Sequence, residues 1–170
     1  MKNYTTLHTR VIQELQARGL ILSFGTTTPR LDGIRLEIPE VEPSVDSLFL
    51  MLHMAGHCAQ WRDSAYARGL AVIDAESFRP EFAASVIEYE LNGTVYGVSM
   101  LSTDLRDELW DSMMDAAAQD VRMLLGVYFG GEIPPESKAL IDHLRHSASA
   151  VPVSTNPFIR WELLSRAAIL

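Results

Sequence analysis

Residues 50–57, Leu50-Met51-Leu52-His53-Met54-Ala55-Gly56-His57, decide how this chain is read. Six of the eight are apolar or glycine, so the stretch belongs in an interior, yet it carries two imidazoles four positions apart. On an α-helix that spacing puts the rings on one face, about 40° apart and one turn above one another. Neutral imidazole is a good zinc ligand, and a catalytic zinc needs a third protein ligand and an open position. The surrounding apolar run, Leu48 to Ala59, stops at Gln60-Trp61-Arg62. It is too short and too polar for a bilayer span of about 20 residues. Ser44 or Asp46 can cap a helix here, which is expected to run to about Arg68 and close at Gly69.

The third ligand is found by projecting the next helix, expected over Pro80 to Leu101, at about 100° per residue. Ala83, Val86, Ile87, Gly93, Thr94, Gly97, Val98 and Leu101 all fall within about 60° of Glu90, while Glu88 and Asn92 project to the far side. Glu90 thus sits in an apolar, small-residue stripe, where a carboxylate is costly unless paired, protonated or bound to a metal. Gly93 and Gly97 let a neighbouring helix approach, and the histidine helix is the natural neighbour. Plainer readings stand beside this one. Asp46, His53, His57, Gln60 and Ser64 fall within about 40° of one another, so the histidines can belong to the wet stripe of an otherwise apolar helix. Glu90 can also pair with Arg62 or Arg106.

Working outward, Thr5 to Arg18 reads as a first helix, with Leu7, Val11 and Leu15 on one face, Asn3 or Thr5 as cap and Gly19 as stop. Leu20-Ile21-Leu22-Ser23-Phe24 and the alternating Ile34-Arg35-Leu36-Glu37-Ile38 read as two strands of a small antiparallel sheet. Leu70 to Ile73 is a weak third. Beyond Leu101 a long helix is expected from Thr103-Asp104 to Val127. Gly130-Gly131 and Pro134-Pro135 break the chain, and Tyr128-Phe129 before them reads as a hinge or a plain turn. Short helices over Pro135 to His146 and Pro157 to Ala168 follow, each opened by proline, joined by a linker over Ser147 to Thr155. The fold class is α+β: an N-terminal helix, a small antiparallel sheet, then a mainly helical bundle.

The chain has 170 residues, 48% hydrophobic and 21% charged, with a formal net charge of −8. This suits one globular domain, 1–170. The acidic balance and the lack of a dense Lys/Arg run argue against nucleic acid as a partner. The start has no apolar signal core, so export is not expected. The lone Cys58 cannot form an internal disulfide, which suits a reducing, cytoplasmic setting, and it reads as a small buried apolar group. Trp61, Trp110 and Trp161 read as packing anchors, and Met113, Met114 and Met123 as core fillers or an adaptable surface. His143 and His146, three apart after Asp142, read as an exposed face near a helix end rather than a second site.

The 50–57 stretch resembles the signature helix of zinc-dependent metallopeptidases, and Gly56 before His57 fits their His-Glu-x-Gly-His form. Glu90-Leu91-Asn92 resembles the Glu-Ala-Asn motif that carries the third ligand in ImmA/IrrE-type metallopeptidases, and Met100-Leu101 resembles the Leu-Met-Pro end of that family's helix. The likeness covers about residues 5 to 101. It implies a zincin-like core over 1–101 with a helical extension over 102–170. It also implies zinc held by His53, His57 and Glu90, and a protein partner in mobile-element regulation or stress response. One departure matters more than the match. The residue after the first His is Met54, where these enzymes carry the glutamate that takes a proton from water. A thioether cannot do this, and general-base catalysis contributes about 10²–10⁴-fold. Leu91 for alanine and Leu101 for proline depart as well. The expectation is therefore a metallopeptidase-like protein impaired in catalysis. The alternatives are an active hydrolase with a non-standard base and a metal-free helical interaction protein.

Overall fold

The computed structural model describes residues 3–160. Helix α1, Tyr4–Ala17, is capped by the Asn3 side chain, which accepts from the Thr6 amide at 3.2 Å, and it buries Leu7, Val11 and Leu15. Gly19, at φ 95°, turns the chain out of the helix in a conformation that glycine adopts without a Cβ penalty. Strands β1 (Ile21–Thr26), β2 (Arg30–Leu31) and β3 (Arg35–Pro39) form a sheet in the order β1-β3-β2.

The sheet departs from the expected antiparallel pair. β1 runs parallel to β3, with Leu22 opposite Leu36, and only β2 is antiparallel to β3, with Leu31 opposite Leu36. The cause is the two-residue strand β2, too short to read in the sequence. It adds one chain reversal between the two expected strands, so β3 returns in the direction of β1. The β2–β3 turn is set by Gly33, at φ 90°, and by Asp32, whose Oδ1 accepts from the amides of Ile34 and Arg35. Leu70–Ile73 does not join the sheet.

Helix α2, Val45–Asp63, starts in a capping box between Ser44 and Ser47. It stops five residues short of the expected Arg68. Ser64 is extended there and its side chain accepts from the Ala67 amide, starting a separate helix α3, Ala65–Leu70. Serine in that geometry competes with helix continuation by capping the next turn. A 3-10 turn at Pro80–Phe82 leads into α4, Ala83–Ser99. Helix α5, Thr103–Tyr128, and helix α6, Pro135–Ser147, lie within a residue of their expected bounds. The helix expected over Pro157 to Ala168 is not seen at residues 157–160, which are irregular, and its remainder, with Trp161, lies outside the described residues.

The histidine helix is not amphipathic in place. Every residue from Met51 to Trp61 is buried, so the wet-stripe reading of Asp46, His53, His57, Gln60 and Ser64 does not hold for its central members. The reason is α4, which covers the side of α2 that a bundle would leave to solvent. Approach is closest at glycines: a Cβ on Gly56 would lie 1.6 Å from the Gly93 carbonyl oxygen, and one on Gly97 would lie 1.9 Å from that of Leu52. Backbone meets backbone there, which is what brings α4 side chains level with the imidazoles. The core forms two clusters. One gathers α1, the sheet, α2 and the adjoining ends of α4 and α5, and the other the rest of α4 and α5 with α6, with Phe49 and Trp110 packed against both. Cys58 is fully buried in the first, and burial pushes its thiol well above the ordinary range.

Candidate metal centre

His53 and His57 project from successive turns of α2 toward Glu90 on α4. Their Nε2 atoms lie 3.0 Å apart. Glu90 Oε2 lies 3.2 Å from His53 Nε2 and 3.3 Å from His57 Nε2. All three side chains are largely removed from solvent; that of Glu90 retains 13% exposure. Four ligands about 2.0–2.1 Å from a zinc ion stand about 3.3–3.4 Å from one another. The three atoms therefore already have nearly the spacing of one face of such a tetrahedron. They form the cluster able to hold a metal among the described residues.

The outward sides of both rings are occupied. His57 Nδ1 lies 2.8 Å from Gln60 Oε1, and the Gln60 amide nitrogen donates to the Tyr89 carbonyl at 3.0 Å. Because that amide NH₂ is used on Tyr89, its oxygen faces the ring, and His57 Nδ1 must be the donor. His57 Nε2 is then a lone pair in neutral imidazole. His53 Nδ1 lies 3.1 Å from Thr94 Oγ1. Ring contacts fix the planes: His57 stacks on Tyr89 at 4.5 Å between centroids, and Phe49 lies tilted against His53 at 5.1 Å. Outer partners that fix tautomer and orientation are characteristic of metal-ligating histidines.

The electrostatics agree with this picture. Burial, followed by the neighbouring His53, lowers the His57 pKa, favouring the neutral form that binds metal. Burial alone would raise the Glu90 carboxyl, but the imidazole contacts more than reverse this and hold it at about 2. The bare His57 Nε2 and the Glu90 carboxylate, 3.3 Å apart, repel unless a proton on His53 or a metal cation lies among them. Arg62 and Arg106 are not available to Glu90, since they pair with Asp63 and Asp107.

The cluster opens onto a cleft of about 450 Å³ whose lining is mostly apolar. Leu50, Met54 and Trp61 come from α2, Leu70, Ile73 and Asp74 from the segment after it, and Asp120, Met123, Leu124, Val127 and Tyr128 from α5. Met54, next to His53 in the chain, also faces the cleft. Tyr128 donates to the Ile73 carbonyl at 3.0 Å and so ties the far wall to α5. Met123 is 62% exposed on the rim, unlike the buried Met113 and Met114, so it is no core filler. His143 and His146 are exposed on α6, away from the cleft, and His146 contacts the Asp142 carbonyl.

Sequence reasoning missed the ring contacts of Gln60 and Thr94 and the place of Asp120 in the cleft. Gln60 lies three residues after His57 and Thr94 four after Glu90, so helical spacing held a usable signal for both. Asp120 offered less, since it projects about 60° from Ala117, at the border of the buried stripe of α5. Compared with protein-family models, with curated proteins and with solved structures, the chain finds no match in any of the three.

Proposed function

We propose that this protein is a metallopeptidase-like metal-binding protein, holding a zinc ion through His53 Nε2, His57 Nε2 and the Glu90 carboxylate beneath a cleft for an apolar segment of a protein partner. The observation that carries the reading is the convergence of three potential ligand atoms at 3.0–3.3 Å, with the outward nitrogens of both rings already engaged. Two imidazoles and a carboxylate suit zinc and leave a coordination position open. When bound, such an ion supplies Lewis acidity toward a carbonyl and lowers the pKa of a water molecule. Gln60 and Thr94 orient the rings, and the apolar walls exclude bulk water. The resemblance to ImmA/IrrE-type metallopeptidases supports the same ligand set, with Met54 leaving α2 without a base.

The test is elemental mass spectrometry on protein purified without an affinity tag, beside His53→Ala and Glu90→Gln. Zinc close to one ion per chain in the wild type, lost in both variants, is the expected result. A wild type without metal after zinc is supplied would overturn the reading. Iron in place of zinc would overturn its choice of ion, since two histidines and one carboxylate also suit ferrous iron.

A further inference from the structure

We propose that Asp120 is the proton acceptor that α2 lacks. From α5, its carboxylate takes a proton from a water molecule held beside the His53–His57–Glu90 cluster and returns it to the leaving nitrogen of a peptide bound in the cleft. The inference rests on the metal-centre reading above. Its chemistry is hydrolysis: the water oxygen bonds to the acyl carbon, the carbon–nitrogen bond breaks, and the proton carried by Asp120 completes the amine. No oxidant, reductant or co-substrate other than water is needed.

Three observations select Asp120. It lines the same cleft as the three cluster residues, and its carboxyl senses the charges of His53, Glu90 and His57. It is not among the ligand atoms that fall within 4.8 Å of one another, so it stands apart from the three that would hold an ion. It also makes no hydrogen bond or ion pair with any described residue. The other carboxylates lining the cleft are committed. Glu90 belongs to the cluster, and Asp74 accepts from the Ser77 amide at 2.8 Å and the Ser77 hydroxyl at 2.7 Å. Burial raises the Asp120 carboxyl, with Glu90 adding to the rise and the two imidazoles opposing it. A carboxylate moved toward neutrality is a better proton acceptor than an exposed one. The apolar walls favour a peptide with large apolar side chains beside the scissile bond.

The experiment compares wild type, Asp120→Asn and Asp120→Glu, each loaded with zinc or with cobalt(II) as a spectroscopic probe, using fluorescein-labelled casein as substrate. The expected results are equal metal content in all three and chelator-sensitive hydrolysis in the wild type. Asp120→Asn loses about 10²-fold or more in kcat, and Asp120→Glu recovers part of it. Without substrate, the pH midpoint of the cobalt spectrum falls by about one unit in Asp120→Asn, because an anion that opposes ionisation of nearby water is gone. A wild type without hydrolysis, hydrolysis that survives Asp120→Asn, or an unmoved cobalt midpoint would overturn the role of Asp120 and leave the metal centre standing. Loss of metal in Asp120→Asn would also overturn it, making the residue a ligand. A wild type that binds no metal would overturn both.

Discussion

Gln60 determines which nitrogen of His57 faces the cleft. With its amide nitrogen on the Tyr89 carbonyl and its oxygen on Nδ1, it holds the ring in the tautomer that presents a bare Nε2. Replacing Gln60 by Leu removes that donor–acceptor relay without opening a large cavity. Zinc affinity should fall about 10–100-fold, measured by competition with a chromogenic chelator. Acid should act on the same residues. The His57 pKa lies below 6.5 in the folded protein, so the unfolded chain takes up its proton first as pH falls. Its contribution to stability is present above about 6.5 and is lost as pH drops through the lowered folded value. Glu90, moved from 4.5 to about 2, adds a second loss across that lower window. Thermal denaturation of the metal-free protein should show Tm falling from about pH 6.5 downward, with the upper part of the fall reduced in His57→Leu, where only His8, also lowered by burial, still contributes to it. A Tm independent of pH in the wild type would contradict this account.

The pair α2 and α4 is the element on which the site depends. Their backbones meet at Gly56, Gly93 and Gly97, and a side chain there has nowhere to go. Gly97→Ala would drive a methyl group into the Leu52 carbonyl, and overpacking of this kind costs about 1–3 kcal/mol or more. Denaturant titration should report that loss. At Gly93 the added Cβ would lie 2.8 Å from the His57 ring instead of against backbone. Gly93→Ala should therefore weaken metal binding more than it weakens the fold, a contrast that a chelator competition run beside a denaturant titration would expose. The break at Ser64 is an element-scale feature too. Its side chain caps α3, so Ser64→Ala should cost about 1 kcal/mol.

At the scale of the whole molecule, the cleft joins segments far apart in sequence. The clustered histidines and Glu90 come from α2 and α4, one wall comes from α5, and Tyr128 fastens α5 to the Ile73 backbone. An ion bound at the centre locks α2 to α4 and should raise the stability of the entire chain. At free zinc about 100 times Kd the gain is about 2.7 kcal/mol, or about 5–10 °C in Tm for a chain of this size. Differential scanning calorimetry with and without a chelator checks this. An equal Tm in both would mean no metal is held by the native state. Among the described residues no helix is long and apolar enough to cross a membrane.

Local sequence was enough to specify three of the helices and the three side chains that cluster. Hydrophobic spacing defines α1, α5 and α6 to within a residue, because a period of 3.6 is a local property. The placement of Glu90 in a small-residue stripe also foretold its direction, since the projection of one helix needs no knowledge of its neighbours. What depended on distant segments could not be read this way. β1 and β3 are parallel because a two-residue strand reverses the chain between them, and two residues carry no period. The middle of α2 is buried on all sides because α4 covers it, and the pattern of α2 alone could not distinguish a polar stripe from an enclosed one. Asp120 enters the cleft only because α5 packs across α2 and α4, a fact of packing between residues more than sixty positions apart along the chain from His57. Helical period and residue chemistry therefore determined which three side chains cluster. Only the close approach of glycine-bearing helices decided that they meet, and only the packing of α5 decided what faces them.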